Sequence, residues 1–405
     1  MKTMHTSSQT VFPAAARIAV TALGCAFAST VFAQSSAVVP DHLSKETTVA
    51  TQDKIEILRV PKPDARRVYV TDPDDFAVVT HVYTIDGNTG KRLAITDAGK
   101  LPNVMIANDG GSFFAVANSL WSRVARGTRD DYIEVFDAES HEPISDIDIP
   151  EARFLTGVFP WSAALSTDNK DLLFHQFSPE PAVGLVDLEA KKFVKMMPMP
   201  DCYHIYPAPQ RTFYMHCREG NMIKVTYDAA GNAKTEPTKI FHKENEYLMN
   251  NGAFSPKAGR IVYASYEGKI FQIDVSSGNA EFREPFETFS AEERAQEWAP
   301  GGWMPVAYHR SSDRIFVLAD QRKKWTHKTP SRFVFVQDAK TGKRLGKIDL
   351  GHEIASIAVS QDDQPQLYAL STGEQTLHIF DVATGKKTAS TSGLGSHPTI
   401  INVAD

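Results

Sequence analysis

Seven times the chain writes one short phrase: an apolar strand-like run, an aspartate, then a small polar turn. The aspartates are Asp86, Asp137, Asp187, Asp228, Asp274, Asp338 and Asp381, stepping by 51, 50, 41, 46, 64 and 43 residues. Such a period with strand–turn punctuation is the signature of a β-propeller, one blade per repeat. Turns such as Asn88-Thr89-Gly90, Lys340-Thr341-Gly342 and Ala383-Thr384-Gly385 supply Gly where hairpins need positive φ. An Asp just before the turn accepts hydrogen bonds from turn amides. The repeat aspartates are therefore assigned to turns and not to catalysis.

From Arg67 the repeat resolves into units of four strands, a to d from the ring centre outward. Six units are complete. The first has only b, c and d (67–71, 81–85 and 93–96), and 399–403 is a lone strand at the other end. Pairing that strand with the first unit predicts an all-β, seven-bladed propeller over 64–405, its ring closed by the C-terminal strand. Closure removes a sheet edge that would otherwise template aggregation. In the unit holding Asp228 the outer strand is placed on the apolar run 238–241.

Residues 1–33 read as a signal peptide. Lys2 and Arg17 precede an apolar stretch, and Val31-Phe32-Ala33 predicts cleavage after Ala33. The stretch is shorter than the roughly 20 residues of a spanning helix, and no later run is long and apolar enough to enter a membrane. Residues 34–63, polar and charged, read as an N-terminal arm. The formal net charge of −6 and the lack of a basic stripe argue against a nucleic-acid partner.

Export leaves Cys202 and Cys217, an even pair in an oxidising compartment, which points to a disulfide. Folding 202–217 as a hairpin about Pro209-Gln210 sets the two cysteines opposite each other, within bridging distance. His204 and His216 leave a Cys/His metal set as the competing reading. Their crowding against the cysteines and the lack of a second ligand cluster weigh against it.

The repeat breaks in three places. Residues 290–298 read as a short helix with Ser290 as N-cap and Glu293 at the third helical position. Residues 321–330 are basic and carry Trp325, and 118–131 set Trp121 among arginines. Trp and Arg recur in interface hot spots, so these loops are candidate docking elements. No nucleophile elbow, zinc-helix motif, phosphate loop or haem motif occurs, and spacing assigns no catalytic residue and no metal ligand.

Several segments carry a family likeness: 65–76 (ARRVYVTDPDDF), 129–137 (RDDYIEVFD), 201–218, 291–303 (AEERAQEWAPGGW), 306–310 and 325–334. In order, over nearly all of 60–405, the chain resembles the heavy subunit of methylamine dehydrogenase. The resemblance implies a periplasmic propeller in a heterotetramer of two heavy and two light subunits. The cofactor, tryptophan tryptophylquinone, would sit on the light subunit, and electrons would pass to the blue copper protein amicyanin. It also implies that Phe76 lines the substrate channel and that Cys202 and Cys217 form the family's disulfide. A free-standing propeller that binds a ligand or protein itself is the alternative.

Overall fold

The computed structural model describes residues 58–73, 79–124, 126–150, 153 and 157–405. The signal peptide, most of the arm and Phe76 lie outside the described residues. The described strands form seven antiparallel sheets, one per repeat, a seven-bladed propeller. In blade 1, Arg67–Asp72, Thr80–Asp86 and Arg92–Ala98 form b, c and d, and Ile400–Val403 is the innermost strand. It pairs antiparallel with the first strand, Val68 opposite Val403 and Val70 opposite Ile401.

Blade-to-blade cohesion is apolar. Each blade is its own sheet, and a buried cluster fills each of the seven seams. At the seam of blades 7 and 1, Tyr368, Leu377 and Ile379 meet Val68, Ile85 and Ile401. Middle strands face a seam on both sides, which is why 68–70 and 261–264 are unbroken apolar runs with every residue buried. Each such side chain contributes about 1.5–3 kcal/mol on burial. Gly184 has no room for a side chain: a Cβ there would stand 2.1 Å from the Phe174 ring of the paired strand.

All seven repeat aspartates cap their c–d turns. Asp137 Oδ1 accepts from the Ser140 amide at 2.7 Å, Asp338 Oδ1 from Thr341 at 2.7 Å and Asp381 Oδ1 from Thr384 at 2.7 Å. Asp86, Asp187, Asp228 and Asp274 do likewise. The Ser140 amide lowers the Asp137 pKa, and the Thr341 and Thr384 hydroxyls lower those of Asp338 and Asp381.

Three expectations shift. The outer strand of blade 4 is Ala233–Pro237, not 238–241. All five of its residues are exposed, so no apolar alternation marks it. The helix is Ala291–Ala295 with the Ser290–Glu293 capping box in place. Trp298 is not helical: Glu297 takes φ +61°, and Trp298–Pro300 pairs with the b strand of blade 6.

The cysteines pair as expected, by a different register. The turn centres on Gln210, with Ala208 opposite Thr212. That register alone would set Cys202 opposite residue 218. A bulge between Tyr203 and Tyr206, where His204 takes φ +60°, shifts it by one and brings Cys202 opposite Cys217. The disulfide occupies both sulfurs, so the Cys/His metal reading falls away.

Candidate partner-docking face

Strand direction sorts the connections. The a–b and c–d turns share one end of every blade, so all seven Asp turns lie on one face. The b–c and d–a connections share the other. The three long b–c connections start at Asp72, Trp121 and Gln321 and end at Thr80, Arg129 and Ser331. The helix lies in the d–a connection into blade 6. Every break in the repeat therefore falls on one face, opposite the aspartates.

The blade 6 loop is built around Arg322, whose guanidinium donates to Thr326 O at 2.8 Å, Thr329 Oγ1 at 2.7 Å and Pro330 O at 3.2 Å, and to Ser331 Oγ. One half-buried fork thus gathers both arms of the loop. At its tip Trp325, at φ +71°, is 59 % exposed. Its ring meets Tyr247 at 5.2 Å and Tyr266 at 6.1 Å, both edge-on. Tyr266 stacks on His327 at 3.8 Å. These rings line a cleft of about 820 Å³ between blades 5 and 6, with Lys323 and Lys324 at its rim. The ring–ring contacts orient the aromatics before any partner arrives, which lowers the ordering cost of binding.

Residues 118–131 behave differently. Trp121 is half-buried under the Arg129 guanidinium, 4.8 Å away, and Arg129 pairs with Asp131 at 2.6 Å. That Trp–Arg pair is spent within the blade, leaving Arg123, Val124 and Arg126 exposed.

At the axis Phe159 stacks on Trp303 at 5.4 Å and 19°. They belong to the connections into blades 3 and 6, which are not neighbours, so the stack spans the ring centre. Arg153, fully buried, donates to Asn103 Oδ1 at 2.9 Å, and Asn103 donates to Phe159 O at 2.9 Å. On the opposite face Asp405 reaches from blade 1 to Ser255 (2.8 Å), the Lys257 amide (2.7 Å) and Arg310 (3.3 Å). Between the two bridges the axial cavity is about 100 Å³, below the roughly 300 Å³ of a ligand pocket.

The disulfide also borders the docking face, above a buried polar chain. Tyr203 hydroxyl lies 2.8 Å from His216 Nδ1, His216 Nε2 is 2.7 Å from His242 Nε2, and His242 Nδ1 is 2.9 Å from Lys243 O. The carbonyl can only accept, so with both imidazoles neutral the direction is fixed. Tyr203 donates to His216, His216 to His242, and His242 to Lys243 O. A proton added to His242 Nε2 would meet the His216 N–H, and one added to His216 Nδ1 would meet the Tyr203 O–H, so either must reverse a donor in the chain. Burial, then the facing His242, lowers the His216 pKa to about 3.

Sequence reasoning placed the 321–330 loop here but missed Tyr247, Phe159 and Trp303. Tyr247 follows the misplaced blade 4 strand, and the other two meet across non-adjacent blades. No periodicity marks such contacts.

Fold and face together define a seven-bladed propeller that gathers aromatic and cationic side chains on one candidate docking surface. The sequence profile described as methylamine dehydrogenase heavy chain (MADH) matches residues 64–405. The chain is 55 % identical over 366 residues to the methylamine dehydrogenase heavy chain of Methylophilus methylotrophus, covering 90 % of each. It is 50 % identical over 388 residues to that of Methylorubrum extorquens, covering 94 % of each. It is 54 % identical over 354 residues to that of Paracoccus versutus, covering 87 % of this chain and 83 % of that one. This chain belongs to the methylamine dehydrogenase heavy chain family. Among solved structures, the dihydro-heme d1 dehydrogenase NirN in complex with DHE is similar in fold, with TM-score 0.50 and 14 % identity over 84 % of this chain and 66 % of that one.

Proposed function

We propose that this chain is the heavy subunit of a periplasmic methylamine dehydrogenase, two copies joining two light subunits that carry the chemistry. The complex oxidises methylamine with water to the aldehyde and ammonia and hands the electrons to amicyanin. The observation that carries this reading is the placement of the long connections on one face, which also carries the prearranged Trp325–Tyr247–Tyr266 cluster, in a chain of this family.

Tryptophan tryptophylquinone needs two tryptophan side chains in contact, and the residues present do not fit it. The rings against Trp161 are Tyr206 and Phe254, and those against Trp298 are Phe333 and Phe335. Trp303 has Phe159, Trp325 has Tyr247 and Tyr266, and Trp121 lies under Arg129. The quinone therefore belongs to the light subunit, and this chain supplies position. Its blade 1 loop, with Phe76, lines the mouth of the substrate channel, and cleavage after Ala33 accompanies export. Pairing of the last strand with blade 1 holds the ring shut.

The bridged axis leaves little room for a ligand at the ring centre, so a free-standing binder, the alternative, would have to use the cleft between blades 5 and 6. The test is turnover by the purified full chain alone, with methylamine and an artificial electron acceptor. None is expected, and any quinone-dependent oxidation would overturn the assignment of chemistry to the partner.

A further inference from the structure

We propose a metal-binding site across the seam of blades 6 and 7, built from His352, Glu374 and His378 and suited to a divalent ion of the zinc or copper type. His352 lies on the long outer strand of blade 6, Arg344–Ile354. Glu374 lies in the b–c turn of blade 7 and His378 on its c strand, Thr376–Asp381. Both imidazoles aim a nitrogen at the same carboxylate. His352 Nδ1 is 3.0 Å from Glu374 Oε1, and His378 Nε2 is 3.2 Å from Oε2. All three ligand atoms lie within 4.8 Å of one another.

Zinc holds nitrogen and oxygen ligands at about 2.0–2.2 Å, so neighbours around a tetrahedral ion stand about 3.3 Å apart. The two imidazole–carboxylate separations are close to that. Two imidazoles and a carboxylate suit zinc, copper or nickel, whereas magnesium and calcium favour all-oxygen sets. Two of the ligands sit on strands of different blades, which preorganises the set, and water can fill the fourth position.

Protons compete for the same lone pairs. Lys387 Nζ, 3.3 Å from His352 Nε2, can donate to it and so keep the His352 proton on Nδ1, and each imidazole can donate to the carboxylate. The rings stack at 3.8 Å and 16°, so an ion enters only as His352 tips out of the stack. His352 is the ring free to do so: its side chain is 25 % exposed against 4 % for His378. Lys387 is exposed as well and can swing into solvent. His378 Nδ1 is buried without a partner, so Glu374 alone orients that ring by hydrogen bonding.

The test is titration of Cu²⁺ into the untagged full chain, read by calorimetry and by electron paramagnetic resonance of the copper. One ion per chain with two nitrogen ligands is expected. His352→Ala, at the exposed ligand, and Glu374→Gln should each weaken binding about tenfold or more. Lys387→Met should tighten it, because no cation then holds His352 Nε2 as an acceptor. A merely structural hydrogen-bond cluster would show none of this. No saturable binding up to about 1 mM Cu²⁺, or binding that His352→Ala leaves unchanged, overturns the proposal.

Discussion

Replacing Trp325 with alanine removes the most exposed ring of the docking cluster. That side chain is 59 % exposed, so a partner covering it removes about 150 Å² from water, taking about 250 Å² for a whole tryptophan. At about 25 cal/mol per Å² this is worth about 3.5–4 kcal/mol. Side-chain ordering and desolvation of the rim take back part, leaving about 2–3 kcal/mol, a hot-spot value. The light subunit should therefore bind about 30- to 150-fold more weakly. Surface-captured heavy chain titrated with light subunit reads this directly. Within the chain Trp325 makes only edge contacts to Tyr247 and Tyr266, so thermal unfolding of the variant should shift by about 1 kcal/mol or less. An affinity within about twofold of the parent, with unaltered melting, refutes the placement of the partner on this cleft.

Three other outcomes follow from the geometry. Deleting residues 398–405 removes the innermost strand of blade 1 and the Asp405 bridge to blades 5 and 6; melting should drop far more than for an exposed tail, and an unchanged melting temperature contradicts the clasp. The folded pKa values of His204 and His216 are lowered to about 3, chiefly by burial, so the unfolded chain binds their protons first as pH falls. Stability is full above the unfolded value of about 6.5 and is lost below it by up to about 1.4 kcal/mol per pH unit per group; denaturant melts equal at pH 7.5 and 5.0 rule this out. Below about pH 4 the turn aspartates add to the loss, because their lowered pKa values make them proton acceptors mainly in the unfolded chain. Phe76→Ala should relax preference toward longer amines and reduce methylamine efficiency in the assembled enzyme, and unchanged relative kcat/KM across an amine series speaks against a channel role.

What was legible in the sequence follows from what each element needs. The c–d turns all solve one chemical problem, so Asp before a short turn recurs, five of the seven turns containing Gly, and announces the blade count. The Ser290 capping box is equally local and was readable. The outer strand of blade 4 was misplaced because Ala233–Pro237 is exposed on both faces and carries no alternation. The cysteine pairing was legible without the His204 bulge that makes it possible. The candidate docking face was half legible. Loop length flagged 321–330, but Trp121 looked equally available and proved to be packed under Arg129. Phe159 on Trp303, and His352 on His378, are contacts between segments far apart in the chain, which only the packing of blades around one axis creates.

The central claim is that this propeller is a scaffold whose chemistry lives on a partner. Native mass spectrometry of the complex isolated from its own host tests it most directly. The account predicts two copies of this chain with two copies of a small polypeptide that bears the quinone. Isolation of this chain alone, with no small quinone-bearing polypeptide in the active fraction, would contradict it.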